Sequence, residues 1–235
     1  MYVRLKLTEA PIFIAALNQL KPKTLPVMEV IVTHFKPFFL GILICIAGYV
    51  LFYIMIAFSQ IYAKSAPTVS EAGYAMGLGF SPQIFTALLM CSAISLAITI
   101  AISGKYIDIV GRRIWLIWTT FGVAIFGLAL PYFLDNGTTT SLFWFLMIGM
   151  GLIGMGYGPL ASFLPELFPT HARYSGASLT YNISGLFGAS VAAIIALPLN
   201  ANYGLKGVGI YLTLNAVLSL IGLWFITETK DKHLA

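Results

Sequence analysis

The chain has 235 residues, of which 59% are hydrophobic and 9% charged, and its mean hydropathy is +0.92. Water-soluble domains carry nearer ~25% charged residues, so this composition excludes one and indicates a membrane protein. A net charge of +5 would suggest nucleic acid in a soluble protein, but in a membrane protein the placement of cations accounts for it, and no nucleic-acid partner is expected.

Residues 1–36 form a polar, proline-punctuated lead-in, and "MYVRLKLTEAPIF" has no apolar core of signal-peptide length. Val27, Val30, Ile31 and Phe35 fall near one helical face, so residues 27–35 fit a helix lying on the membrane surface and a flexible tether equally. Uncharged windows then predict six spans, near 38–62, 82–103, 114–134, 141–163, 174–198 and 208–227. At about 1.5 Å per residue each can cross a hydrocarbon core of about 30 Å. Helices are expected because backbone polar groups in lipid must be paired within the segment. The fold class is all-α: a six-helix transmembrane bundle over 37–228, followed by a tail at 229–235.

The spans differ in polarity. Span one offers Tyr49, Tyr53 and Gln60 on roughly one face, and span two has Ser92, Ser95, Thr99 and Ser103 at steps of three or four. Span four is crowded with Gly149, Gly151, Gly154, Gly156 and Gly158, and span five carries Ser175, Ser178, Asn182, Gly185 and Ala189. Such stripes serve either tight helix packing or solute contact, and packing is the commoner use. Spans three and six are bulkier, with Asn215 and Ser219 the main polar exceptions in span six, and are expected to face lipid. The polar character repeats after three helices, as an inverted repeat in half a transporter would. Cys45 and Cys91 lie inside spans and read as buried small side chains, and no metal site or cofactor is expected. His34, His171 and His233 lie outside the spans, and no nucleophile and base recur at workable spacing, so an enzyme is not expected.

Eleven of the thirteen Lys and Arg residues fall in the termini and alternate loops, leaving Lys64 and Lys206 on the other side. The positive-inside rule then places both termini in the cytoplasm of a multi-pass cell (inner) membrane protein. Two loops on that side carry signal. In "GKYIDIVGRRI", residues 104–114, Asp108 and the Arg112–Arg113 pair each sit at the helix end their charge disfavours, so Asp108 needs a cation, most simply Arg112, or the positive N-terminus of another helix. In "LPELFPTHARYSGAS", residues 164–178, Pro165 is expected to end span four, Thr170 to cap span five, and Glu166 to pair with Arg173.

The first loop resembles the Gly-x-x-x-Asp-x-x-Gly-Arg-Arg/Lys signature of the major facilitator superfamily, through Gly104, Asp108, Gly111, Arg112 and Arg113. The second is similar to the loop between helices ten and eleven of the superfamily's metabolite:proton symporters. "VRLKLTEAPIF" resembles the segment after helix six, and "TETK", residues 227–230, the close of helix twelve. The resemblance implies that the six spans match helices seven to twelve, one half of a transporter, with the first six helices absent from this chain. It further implies proton-coupled transport of a small organic-acid-like metabolite, and a conformational gate built from Gly104, Asp108, Gly111, Arg112, Arg113, Glu166 and Arg173. Candidate solute-lining residues are Tyr49, Tyr53, Gln60, Ser178 and Asn182. Expected partners are membrane lipid, the small-molecule solute, and a separate N-terminal half or a second copy. The alternative is a truncated, non-transporting integral membrane protein, since no Asp, Glu, Lys, Arg or His lies within the spans to couple protons.

Overall fold

The computed structural model describes residues 26–227. The segment resembling the one after helix six, most of "TETK" and the tail lie outside the described residues. A short helix, α1 (Pro26–Thr33), leads into α2 (Phe35–Lys64), α3 (Pro82–Val110), α4 (Arg112–Leu134) and α5 (Thr139–Glu166). A final helical stretch, Arg173–Phe225, is broken at Gly204 (φ 66°, ψ −169°). Residues 173–203 form α6 and 205–225 form α7, so α2 to α7 are the six expected spans.

Single glycines make two of the turns between spans. Gly111, at φ 101° and ψ 143°, separates α3 from α4, and Gly204 separates α6 from α7. Both take backbone conformations that a Cβ disfavours. The expected link at 199–207 is therefore one residue long. The reason is tertiary: fully buried Asn200 donates from Nδ2 to the Ala75 carbonyl at 3.0 Å, which holds the end of α6 in helical form beneath the loop 65–81. That loop is ordered, with a Val69–Ala75 bridge and Leu78 and Phe80 amides donating to the Tyr62 and Ala63 carbonyls at 3.1 and 2.8 Å. Tyr74 closes over Gly204, where a Cβ would meet Tyr74 Cδ1 at 2.6 Å.

Two expectations at the opposite, basic end are corrected. Pro165 does not end α5, which runs through Pro159 and Pro165 to Glu166. The helix passes this proline by a single residue, and the turn is closed beyond it by the Leu167 amide on the Leu164 carbonyl at 3.3 Å. Thr170 does not cap α6. The cap position is Ala172, fixed by a tight turn from the Pro169 carbonyl to the Ala172 amide at 3.0 Å.

Helix α1 is a formed helix rather than a tether. Val30 is fully buried in the main core, while Val27, Ile31 and Phe35 stay exposed on the outer side. Among the spans α2 is central: Ser219 of α7 donates to the Leu43 carbonyl at 2.6 Å, and Gly188 of α6 lies against Tyr49 and the Ile46 carbonyl. Helices α4 and α7 meet through Gly127 and Gly209, and Thr213 Oγ1 donates to the Ala124 carbonyl at 3.0 Å. Their outer faces expose the large apolar side chains Trp118, Leu128, Tyr132, Leu214 and Trp224.

The polar stripe of span two serves packing, not solute. Ser95 donates to the Met147 carbonyl at 2.9 Å, Ser103 to the Gly154 carbonyl at 3.4 Å, and the span-four glycines receive this face. A Cβ on Gly154 would overlap Thr99 Oγ1 and lie 2.6 Å from the Leu96 carbonyl oxygen. In lipid, helices gain nothing from burying Leu, so close backbone approach and interhelical hydrogen bonds hold them together. Gly154→Ala is expected to cost about 1–3 kcal/mol in detergent unfolding. Gly104→Ala, where a Cβ meets nothing within 4 Å, should be neutral or slightly stabilising.

Candidate functional site

Two features stand out toward the basic end: a charge cluster joining α3, α4, α5 and α7, and a groove between α5 and α6.

In the cluster, Arg112 opens α4 and is only 17% exposed. Its guanidinium meets Asp108 Oδ1 at 3.3 Å and Glu166 Oε2 at 3.1 Å, so the N-terminus that its charge disfavours is occupied by two carboxylates. The expected pairing of Asp108 with Arg112 is present. The expected pairing of Glu166 with Arg173 is not: Glu166, at the end of α5, points across the bundle to α4. The turn at Pro169–Ala172 carries Arg173 round to the groove instead. Arg113 turns to α7, donating from Nε to the Leu223 carbonyl at 2.8 Å and from Nη2 to the Trp224 carbonyl at 3.0 Å. It therefore caps another helix's C-terminus, where a cation is favoured. Gly111 supplies the positive-φ joint that brings both arginines round, whereas Gly104 lies on the exposed face of α3.

The groove has a volume of about 610 Å³ and is lined by Tyr157, Leu160, Thr170, Arg173, Ser178 and Tyr181 among others. Tyr157 and Tyr181 also line a smaller cavity of about 250 Å³ reaching Tyr49 on α2. The three phenols form one unit: the rings of Tyr49 and Tyr181 are 5.0 Å apart and the hydroxyls of Tyr181 and Tyr157 lie at 3.5 Å. Arg173 stands at the basic-end mouth, its Nε buried and without a hydrogen-bond partner among the described residues.

Of the residues expected to line a solute path, Tyr49 and Ser178 are brought to these connected spaces. Tyr53, Gln60 and Asn182 line neither: Tyr53 bonds to the Ala193 carbonyl at 3.4 Å, Asn182 bonds back to the Ser178 carbonyl at 2.8 Å, and Gln60 is exposed near the far end of α2. Sequence reasoning missed Tyr157 and Tyr181. Tyr181 was within reach, since it lies three residues after Ser178 and shares its helical face.

The model of the Major Facilitator Superfamily matches residues 23–235. Over its whole length the chain is 88% identical to a Haemophilus influenzae protein provisionally named as a metabolite transport protein, of which it covers 53%. It is 37% identical to the inner membrane metabolite transport protein YhjE of Escherichia coli, covering 52% of it. It is 25% identical to a proline/betaine transporter of Salmonella typhimurium, covering 46%. The chain thus spans about half the length of the curated relatives it matches. No solved structure matches it significantly.

A double-mutant cycle on Arg112→Ala and Glu166→Ala is expected to give a coupling of about 0.5–3 kcal/mol in unfolding free energy. The same cycle on Arg173 and Glu166 should give a coupling near zero.

Proposed function

The chain belongs to the major facilitator superfamily, and from that premise we propose that it forms the C-terminal half of a secondary transporter for a small organic metabolite. The observation that carries the reading is the chemistry of one face of the bundle. Tyr157, Ser178 and Tyr181 turn polar groups into the α5–α6 groove, and Tyr157 and Ser178 are exposed there. Lipid satisfies such groups poorly, so a face of this kind suits a wet path or a partner helix. An N-terminal half laid against it closes the groove into a central solute path. The exposed face of α3, with Gly104 open to contact, gives that half a second place to pack.

The groups in contact with solute are then Tyr49, Tyr157, Ser178 and Tyr181, which offer donors and acceptors without fixed charge. Arg173 at the mouth suits a solute bearing a carboxylate, in keeping with an organic-acid-like metabolite. When the path closes on that side, the same guanidinium receives an acidic residue of the other half, and the Asp108–Arg112–Glu166 cluster forms the neighbouring part of the gate. Proton coupling falls to a carboxylate or other charged group of the other half, because the spans near 38–62, 82–103, 114–134, 141–163, 174–198 and 208–227 carry no Asp, Glu, Lys, Arg or His. The basic end is cytoplasmic and the protein resides in the inner membrane, as the distribution of Lys and Arg supports.

The test pairs this chain with the six-span N-terminal half of a full-length relative in vesicles. Uptake of labelled organic acids, proline and glycine betaine is measured, with single cysteines at Ser178 and Tyr181. Solute is expected to slow thiol labelling at both positions, and Tyr181→Phe to reduce uptake roughly 10- to 100-fold, the cost of a lost buried hydrogen bond. Equal labelling with and without every solute, and no uptake where the full-length relative transports, would instead support a non-transporting membrane protein.

A further inference from the structure

We infer that Glu29, His34 and His171 form a three-ligand site for a divalent transition-metal ion, zinc foremost, with a fourth position open to water. Each of the three offers one ligand atom, and these atoms all lie within 4.8 Å of one another. They come from three separate pieces of backbone: Glu29 from α1, His34 from the joint between α1 and α2, and His171 from the link between α5 and α6. Nothing in their sequence spacing announces the cluster.

The local structure explains the convergence. Val30 anchors α1 in the same hydrophobic core that holds Phe168 and Ala172, on either side of His171 in the chain. Helical hydrogen bonding runs through the joint, with the His34 amide on the Val30 carbonyl and the Phe38 amide on the His34 carbonyl, both at 3.1 Å. His34 itself bends the path, at φ −114° and ψ 34°. Its ring is thereby turned toward His171, with centroids 6.4 Å apart, while His171 Nε2 and Glu29 Oε1 already lie 2.7 Å from each other.

Two imidazoles and a carboxylate are a zinc donor set, and with a water they complete a tetrahedron. Bonds of about 2.0–2.2 Å put tetrahedral ligand atoms roughly 3.3–3.6 Å apart. Binding therefore needs the His171–Glu29 contact to open and His34 to close by small side-chain movements, with no change of backbone path. The side chains of His171 and Glu29 are 34% and 30% exposed, so an ion reaches them from water. The nitrogen ligands suit zinc, nickel or copper and disfavour magnesium and calcium, which take oxygen. A bound ion would tie α1 to the α5–α6 link, next to Arg173 and the groove mouth.

The test uses the tag-free full chain in detergent, stripped of metal, with cobalt(II) as the spectroscopic probe and zinc as competitor. One ion per chain is expected, with a visible absorption of four- or five-coordinate strength that zinc removes. His34→Ala and His171→Ala should abolish it, Glu29→Gln should weaken binding by at least about tenfold, and His233→Ala should leave it unchanged. X-ray absorption of the unmutated zinc-loaded chain provides a readout that needs no variant, and two imidazoles with one carboxylate are expected. No saturable cobalt binding, binding indifferent to the three ligand variants, or a shell without imidazole would overturn the inference.

Discussion

The bundle is governed by the need of every backbone N–H and C=O at membrane depth to find a partner inside the protein. Each span therefore stays helical over its full length, and α6 and α7 continue until one glycine between them gives way. Side-chain hydroxyls obey the same rule. Ser95, Ser103, Thr213 and Ser219 all donate to carbonyls of neighbouring helices rather than facing lipid. The ordered loop 65–81 extends this satisfaction to the helix ends, where Asn200 meets Ala75.

With the backbone and these hydroxyls satisfied, what remains to hold helices together in lipid is proximity. The close pairs α3–α5 and α4–α7 are both made where glycine lets backbones approach, at Gly154 and at Gly127 with Gly209. This divides the polar stripes into two classes. Those of α3 and the glycine face of α5 are spent on each other. The tyrosines and Ser178 of α5 and α6 border open space, which leaves that face free for a solute or a partner.

Charge at the basic end follows the same economy of contacts. Arg112 and Arg113 begin a helix whose dipole opposes them, yet each is matched by a different neighbour, two carboxylates for one and the last carbonyls of α7 for the other. The signature loop thus acts as a clasp joining α3, α4, α5 and α7. Its link to Glu166 couples the end of α5 to α4, and the turn that follows carries Arg173 to the mouth of the groove.

Hydropathy and charge by themselves determined the membrane class, the number of spans and the bulky apolar character of α4 and α7. These depend on composition along one helix, which a sequence displays directly. The signature residues and the Asp108–Arg112 pair were legible for the same reason, because an i, i+4 contact is local. Only the tertiary structure decided that Glu166 pairs with Arg112, that the serine stripe of α3 packs, that Tyr157 and Tyr181 complete the groove, and that Glu29, His34 and His171 converge. Each of those depends on how helices distant in the chain rotate and approach, and that is set by mutual packing of small residues rather than by any local pattern.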